Sequence, residues 1–188
     1  MMLEIPGCTI RFKDDPPETM PWRDRWLHAA ARRITPDYDR HFTTVIYPNI
    51  YLPTGTRPIF ERTPERYYTT FRHEFVHLKD WQRFHLAMAV SYVLLLPVGW
   101  TMRAFWELRG YAQNMICAQE RYGSVPEATV ERIARIFAGR DYVYMLVPYS
   151  LARRQVRRLR AAIESGTLSG VYPYGTLDHT PPPPPDYG

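Results

Sequence analysis

Helix start and stop signals divide residues 63–166 into segments of helical length, and this division constrains the fold more than any other feature of the sequence. Thr63, Pro64 and Glu65 form a typical helix start: a capping hydroxyl, a proline at the first helical position and a carboxylate in the first turn. The first helix is predicted to end near His85, and Gly166 is predicted to stop the last one. The sequence thus predicts successive helices over about 64–85, 86–97, 101–121, 124–137 and 149–165, the fourth opened by a capping box at Ser124–Glu127 and the third closed by Gly123.

The first sixty residues are predicted to be mainly extended, with one short helix. Leu3–Phe12 has the composition of a strand, and Trp22–Arg33 carries apolar residues at helical spacing. His41–Leu52 is rich in β-branched and aromatic residues, but Pro48 cannot donate to a strand ladder, so an edge strand or a hairpin corner is expected there. Together with the helices that follow, these segments predict an α+β, mainly helical fold with a small N-terminal sheet or hairpin.

The length and composition indicate one folded domain and one tail. A chain of 188 residues can bury one sizeable core, and 45% hydrophobic with 23% charged residues is typical of a globular protein. We therefore predict a single domain over residues 1–166 with one functional site. Residues 167–188 contain five consecutive prolines and no apolar period, which predicts a polyproline II tail, either an unstructured end or a segment that docks onto a partner.

Charge and cysteine content restrict the class of protein. The net charge is +5, but the basic residues are arginines except for Lys13 and Lys79, and no RNA-binding sheet or zinc-finger pattern is present. Nucleic acid is therefore not an expected partner. Cys8 and Cys117 are isolated thiols that indicate neither a disulfide framework nor a cysteine-ligated metal, so a reducing compartment is expected.

Export by a signal peptide is not expected, because the first residues lack the basic head and the apolar core of one. A cytoplasmic location is therefore expected. The one long uncharged stretch, Leu86–Met102, reaches only the lower limit of about 17 residues for a spanning helix, and Pro97 and Gly99 interrupt it. A buried helix pair is the favoured interpretation of this stretch, and insertion into a membrane is the alternative.

The pattern HExxH at His73–His77 carries the strongest chemical signal. Residues four apart lie on one face of an α-helix, so the two imidazoles converge on one point where they can bind a zinc ion. Glu74 lies beside that face, where its carboxylate can take a proton from zinc-bound water. Apolar flanking residues predict that this helix is buried, which disfavours a pair of solvated histidines. These flanking residues are Phe71, Phe75, Val76, Leu78 and Trp81.

A third protein ligand is expected, because catalytic zinc sites usually have three. Glu107 is the preferred choice: it is a carboxylate among large apolar residues on a separate helix, and a metal would relieve the cost of burying it. Gly110, one turn further on, would let the two helices approach closely. The alternative is an ordinary surface ion pair between Arg103 and Glu107.

Other polar residues are candidates for supporting roles. Asp80, one turn after His77, is better placed to orient a ligand histidine than to bind the ion. Tyr111 lies one turn beyond Glu107 and is a candidate donor to a tetrahedral intermediate, although a tyrosine is more often a packed aromatic. Weaker candidates are Asp141 and Glu120 as ligands, Tyr142, Tyr144 and Tyr149 as donors, and Arg103 as a support for the ligands.

The last predicted helix has a basic side. Arg153, Arg157 and Arg160 share one face, and the apolar residues lie elsewhere on the helix. A solvated face is the favoured interpretation, and contact with an acidic partner or a membrane surface is the alternative.

The HExxH helix followed by a helix that carries Glu107–Tyr111 resembles the gluzincin branch of the zincin metallopeptidases, particularly small bacterial or phage members with a glutamate-x-x-small-tyrosine motif. The resemblance covers residues 41–115, and Gly110 stands where that family often has alanine. It implies a zincin-like minimal metallopeptidase domain, with a substrate-binding edge strand expected at Thr43–Leu52. It also implies that zinc is bound by His73, His77 and Glu107.

The resemblance implies a zinc-dependent peptidase that acts on a protein or peptide substrate. Zinc would polarise the scissile carbonyl and lower the pKa of its bound water, and Glu74 would accept the proton of that water and pass it to the leaving amine. The alternative is a structural or assembly protein, for example of a phage or virion, that keeps the zincin fold with or without zinc. Such a protein would dock onto its partners through the Pro-rich tail and the arginine helix.

Overall fold

A computed structural model describes residues 8–35, 37–93, 101–139 and 147–169. The chain forms two compact units, Met1–Tyr68 and Thr69–Gly188. The single domain over residues 1–166 stays a prediction. The Pro-rich tail beyond residue 169 and the weaker site candidates Asp141, Tyr142 and Tyr144 lie outside the described residues.

The first unit contains a three-stranded sheet in the order β1-β3-β2. Strand β1 (Thr9–Phe12) runs parallel to β3 (Asn49–Leu52), and β2 (Thr44–Ile46) pairs with β3 in the antiparallel direction. Every residue of β3 is buried, as its central position requires. Pro48 lies in the turn between β2 and β3, so the predicted hairpin corner is confirmed.

The helices of the first unit are α1 (Trp22–Ile34), α2 (Tyr38–His41) and α3 (Arg57–Arg62), with short 3-10 turns at Pro17–Thr19 and Pro64–Tyr67. The predicted helix over Trp22–Arg33 is confirmed.

The buried face of α1 is polar, which the apolar spacing of its sequence does not indicate. Asp24 and His28 are buried, whereas Trp22 and Trp26 are exposed. The Asp24 carboxylate accepts hydrogen bonds from Asn49 Nδ2 at 2.8 Å and from the Tyr51 hydroxyl at 2.7 Å. A buried carboxylate is tolerated when it is hydrogen-bonded in this way, and here it ties α1 to the central strand.

Two further buried polar groups meet at Tyr38. The Nδ1 atom of His28 lies 2.8 Å from the Tyr38 hydroxyl, and the His28 ring packs against Tyr51 with ring centroids 4.4 Å apart. Lys13, directly after β1, is buried, and its ammonium group donates to the carbonyls of Tyr38 at 2.8 Å and Phe42 at 2.7 Å. The bond to Phe42 satisfies a carbonyl just beyond α2, whereas the Tyr38 carbonyl also accepts from the amide of Phe42 and is shared by the two donors.

Over its described residues the second unit is helical and contains α4 (Tyr68–Val93, whose first residue belongs to the first unit), α5 (Met102–Tyr122), α6 (Glu127–Ala138) and α7 (Tyr149–Glu164). The mainly helical fold with a small sheet is therefore confirmed. The last three helices share one core, formed by Ala104, Tyr111, Met115, Ile116, Val130, Ile133, Ala134, Phe137, Ala152, Val156 and Ile163, with Val125 and Val147 from the connections.

The start of α4 differs from the prediction. The Thr63 hydroxyl donates to the carbonyl of Ile59 instead of capping a helix, and a 3-10 turn at Pro64–Tyr67 precedes the α-helix. His85 has a φ of 44° and interrupts α4 at the position where the sequence predicts the boundary between two helices.

The later helix signals are confirmed except for the capping box. The Thr101 side chain accepts from the amide of Ala104, and Gly123, with a φ of 72°, ends α5 in the left-handed conformation. The capping box at Ser124–Glu127 is wrong, because Pro126 occupies the N-cap of α6 and no side chain bonds there. Within the part of the chain that the structure describes, no helix combines the length and the apolar character needed to cross a membrane.

The predicted basic side of α7 is paired with acidic residues. Glu127 of α6 accepts from Arg157 and, at 2.7 Å, from Arg160. Arg153 binds Glu131, also on α6. Opposite charges on the facing helix therefore compensate these three arginines, whose side chains are still 29–47% exposed, so the face is solvated as predicted but its charge is paired.

Candidate metal centre

The HExxH pattern lies on the most buried part of α4. Every residue from Phe71 to Leu78 is buried, so the apolar flanks bury this face as predicted. His73 and His77 are one helical turn apart, and their ring centroids are separated by 5.0 Å. The two imidazoles are thus neighbours within a dry part of the second unit.

Glu107 on α5 completes a cluster with the two histidines. Its Oε2 atom lies 3.5 Å from His73 Nε2 and 4.0 Å from His77 Nε2, and one ligand atom from each residue lies within 4.8 Å of the others. His73, His77 and Glu107 are only 7%, 6% and 3% exposed. The structure therefore brings together the three residues predicted as ligands. The alternative of a surface pair with Arg103 is wrong, because Glu107 is buried beside the histidines.

Gly110 explains how α5 can approach His73 so closely. A Cβ atom at this position would lie 2.5 Å from His73 Nε2 and 2.7 Å from both Cδ2 and Cε1. Any residue larger than glycine would therefore occupy the space of the imidazole. This confirms the expectation that Gly110 permits close approach, and it gives a steric reason for the absence of alanine here.

The donor set and its spacing fit a metal ion. Two imidazole nitrogens and one carboxylate oxygen form a three-ligand set that is typical of catalytic zinc and of other divalent transition metals. Ligands about 2.1 Å from one ion can be at most about 4.2 Å apart. The separations of 3.5 and 4.0 Å from Glu107 to the histidines lie within this limit. These residues can hold a metal ion, and the His73 ring fills the space that a side chain at position 110 would take.

The electrostatics of the cluster favour a positive charge at His73. Burial alone lowers the pKa of His73, but the interaction with Glu107 and the negative charge of Glu74 outweigh burial, so the pKa is raised. At His77 burial dominates and lowers the pKa to about 4. His77 is therefore neutral at physiological pH, as a metal-binding imidazole must be.

Two other predicted residues lie next to His73. Glu74 is buried and close enough for its charge to raise the pKa of His73. The ring of Tyr111 packs edge-on against the His73 ring, with centroids 4.9 Å apart, and also contacts Phe137. Tyr111 is thus a packed aromatic of this site, and its role as a donor to substrate stays a prediction.

Asn114 is a neighbour of His73 that the sequence reasoning missed. Its side chain interacts with His73 and contributes to the raised pKa of that histidine. It lies four residues after Gly110 and seven after Glu107, so all three share one face of α5. That spacing is the signal that would have identified it.

Asp80 connects the two helices of the site. It is fully buried and binds Arg109 through two hydrogen bonds, Nε to Oδ2 at 3.0 Å and a terminal nitrogen to Oδ1 at 2.7 Å. Its charge partly opposes the lowering of the His77 pKa that burial causes. The predicted orienting role of Asp80 stays a prediction, but its partner Arg109 holds α4 and α5 together one turn from the cluster.

The weaker candidates that the structure describes are engaged elsewhere. Glu120 binds Arg72 of α4, and the Tyr149 hydroxyl donates to Glu131. Glu120 does not belong to the ligand cluster, so the prediction of Glu120 as a ligand is wrong. The role of Tyr149 as a donor to substrate stays a prediction. For Arg103 a supporting role stays a prediction.

Comparison with protein-family models, with curated proteins and with solved structures finds no match to this chain. The segment expected to act as a substrate-binding edge strand, Thr43–Leu52, contains β2 at an edge of the sheet and β3 at its centre. Both strands belong to the first unit, whereas the metal centre belongs to the second. The use of that segment for substrate stays a prediction.

Proposed function

We propose that this protein is a zinc-dependent metallopeptidase of the gluzincin type, with a zincin-like domain. The observation that carries the proposal is the convergence of His73, His77 and Glu107 on one buried point, with Glu74 beside it. Zinc is the metal of choice because two histidines and one glutamate form a ligand set used by zinc peptidases.

Each residue has a distinct part in the proposed reaction. His73 and His77 would hold the ion from α4 as neutral imidazoles, so the proton that Glu107 and Glu74 favour on His73 would be released when the ion binds, and Glu107 would add a negative charge from α5. The ion, when bound, supplies Lewis acidity that polarises the scissile carbonyl and lowers the pKa of a water molecule. Glu74 accepts the proton of that water and delivers it to the leaving amine, because a buried carboxylate without a metal bond can alternate between the two states.

The proposal is tested by separating metal binding from hydrolysis. Purified wild-type protein, Glu74→Gln and His77→Ala are analysed for zinc content and for cleavage of a mixed peptide library. We expect one zinc ion in the wild type and in Glu74→Gln, none in His77→Ala, and a loss of cleavage of at least about a hundredfold in Glu74→Gln. Glu61→Gln, an exposed glutamate on α3, is the matched control and should retain both properties. Unchanged cleavage by Glu74→Gln refutes the mechanism.

The burial of the cluster supports a second candidate, a structural or assembly protein in which the metal only stabilises the fold. Closed metal sites with no solvent-open position are typical of structural zinc, and every residue of this cluster is buried. If the metal is only structural, removal of zinc should lower the melting temperature. Neither the wild type nor Glu74→Gln should then cleave any peptide of the library. Zinc-dependent cleavage by the wild type excludes this candidate.

A further inference from the structure

Arg72, which directly precedes His73 on α4, is a buried cation held by α5. It is only 6% exposed. Its Nε and one terminal nitrogen donate to Oε1 of Gln113 at 3.3 and 3.1 Å, and its other terminal nitrogen binds the Glu120 carboxylate. Gln113 is fully buried, so its amide oxygen depends on the guanidinium group in place of water. Two residues of the facing helix therefore fix the orientation of this guanidinium group.

The contacts of Arg72 and those of His73 fall on different faces of α5. Gln113 and Glu120 are seven residues apart, so they lie on one face of the helix. The residues of α5 next to His73 lie on a second face. They are Glu107, Gly110, Tyr111 and Asn114. Consecutive residues of a helix point about 100° apart, so Arg72 and His73 hold α5 from two directions at once.

A second polar contact between the same helices lies on the other side of the metal cluster. Asp80, three residues after His77, binds Arg109, which follows Glu107 by two residues. The two histidines therefore lie between the contacts made by Arg72 and Asp80 along α4. Hydrogen bonds to charged groups depend strongly on direction, so a rotation of α5 about its axis would break them.

We propose that Arg72 is a positioning residue of the metal centre, which fixes the rotation of α5 and so brings Glu107 to the two histidines. Arg72 acts through Gln113 and contacts neither the ion nor the substrate. Small rotations matter because ligand positions tolerate only about 0.2 Å, and Glu107 lies 3.5 Å from His73. The inference rests on the metal centre of the proposed function but is independent of peptidase activity.

Metal binding by the full chain tests the proposal. Arg72→Met keeps most of the side-chain length but removes the donors. Val156→Ala, in the core that α5, α6 and α7 share, is the control for a general loss of stability. Competition with a chromophoric chelator measures zinc affinity, and the visible absorption of bound cobalt(II) reports the ligand geometry. We expect Arg72→Met to bind zinc about 10- to 100-fold more weakly and to change the cobalt spectrum, and Val156→Ala to change neither.

Two more variants locate the effect at the contact with Gln113. Gln113→Leu removes the acceptor, so the double variant of Arg72→Met and Gln113→Leu should bind zinc no more weakly than Arg72→Met alone. Arg72→Lys keeps the charge and a donor but not the planar fork, so it should recover part of the affinity. If Arg72→Met does not fold, as judged by circular dichroism, Arg72→Lys replaces it in the comparison with the wild type.

Proton NMR of the metal-free chain measures the positioning without any metal. The Tyr111 ring packs edge-on against the His73 ring, with centroids 4.9 Å apart, so its ring current shifts the signals of the His73 ring protons. His73→Ala assigns these signals by their loss. At fixed pH, Arg72→Met should move them and should leave the signals of His28, in the first unit, unchanged.

Each negative result has its own meaning. Equal zinc affinity and equal cobalt spectra of the wild type and Arg72→Met overturn the proposal and leave the proposed peptidase untouched. Equal losses in Arg72→Met and Val156→Ala assign the effect to stability, and additive losses in the double variant refute the part assigned to Gln113. A wild type that binds no metal refutes the metal centre of the proposed function. In that case, unmoved His73 signals in Arg72→Met overturn the positioning as well.

Discussion

Replacing Gly110 by alanine should favour the helical conformation of α5 but disturb the geometry of the candidate metal centre, which we propose binds zinc. In the interior of an exposed helix this change stabilises by about 0.5–1 kcal/mol. Here the new Cβ would lie 2.5 Å from His73 Nε2, and ordinary contact begins at 3.4 Å, so the ring or α5 must move by about 0.9 Å. Ligand positions in metal sites tolerate about 0.2 Å. We therefore expect Gly110→Ala to lower zinc affinity about 10- to 100-fold, the range seen when ligand orientation is disturbed.

Competition with a chromophoric chelator measures this loss, and thermal unfolding with and without zinc measures stability. Gly166→Ala is the control, because a Cβ there meets nothing within 4 Å, although the φ of 72° makes the change cost about 1 kcal/mol. It should leave zinc affinity unchanged. Gly110→Ala with wild-type zinc affinity would refute the steric reasoning.

A double-mutant cycle tests whether the effect of Gly110→Ala arises from the contact between the new methyl group and the His73 ring. In a His73→Ala background the ring is absent, so Gly110→Ala should stabilise the apoprotein by about 0.5–1 kcal/mol. Destabilisation in that background would show that the added methyl meets another part of the protein.

Three further predictions concern the two units separately. Arg109→Met should lower the free energy of unfolding in urea by about 3–5 kcal/mol, because it removes the partner of the buried Asp80 carboxylate. Arg32→Met removes a partly exposed ion pair and should lower it by at most about 1 kcal/mol. Equal losses in the two variants would contradict this prediction. Burial lowers the pKa of His28 from 6.5 to about 4, so the unfolded chain takes up a proton below pH 6.5 that the folded first unit excludes. The free energy of unfolding of that unit should therefore fall by about 2 kcal/mol from pH 7 to pH 5. The same fall in His28→Gln would contradict the assignment to His28. Tyr111→Phe should reduce kcat about a hundredfold at unchanged zinc content if the phenol donates to the oxyanion, and an unchanged kcat would leave Tyr111 a packing residue.

The ligand cluster was predictable because its geometry is local. The i, i+4 spacing of His73 and His77 fixes their relation on any helix, and a carboxylate among apolar residues such as Glu107 requires a buried partner. The predicted close approach at Gly110 followed from the absence of a side chain. Asn114 was missed although its spacing of seven from Glu107 and four from Gly110 places it on the same face of α5, because an asparagine is not a typical metal ligand.

Tertiary contacts decided the features that the sequence did not predict. The apolar spacing of α1 indicated a helix but not its buried side, because Asp24 is stabilised by Asn49 and Tyr51 from a distant strand. The arginines of α7 indicated a solvated face, which they form, but not that acidic residues 22 to 33 positions earlier compensate their charge. Long-range polar pairing of this kind has no signature within a short window of sequence.

The burial of Lys13 has a practical consequence for following the two units. Lys13 and Lys79 are the only lysines in the sequence, and one belongs to each unit. The Lys13 amine donates to two carbonyls and lies 3.3 Å from the centroid of the Tyr38 ring, so an acylating reagent reaches it only when the first unit opens. Lys79 is only partly buried and is open to the reagent in the folded chain. The ratio of acylation at Lys13 to acylation at Lys79, measured by mass spectrometry, therefore reports the rate at which the first unit opens. No probe has to be introduced into the chain.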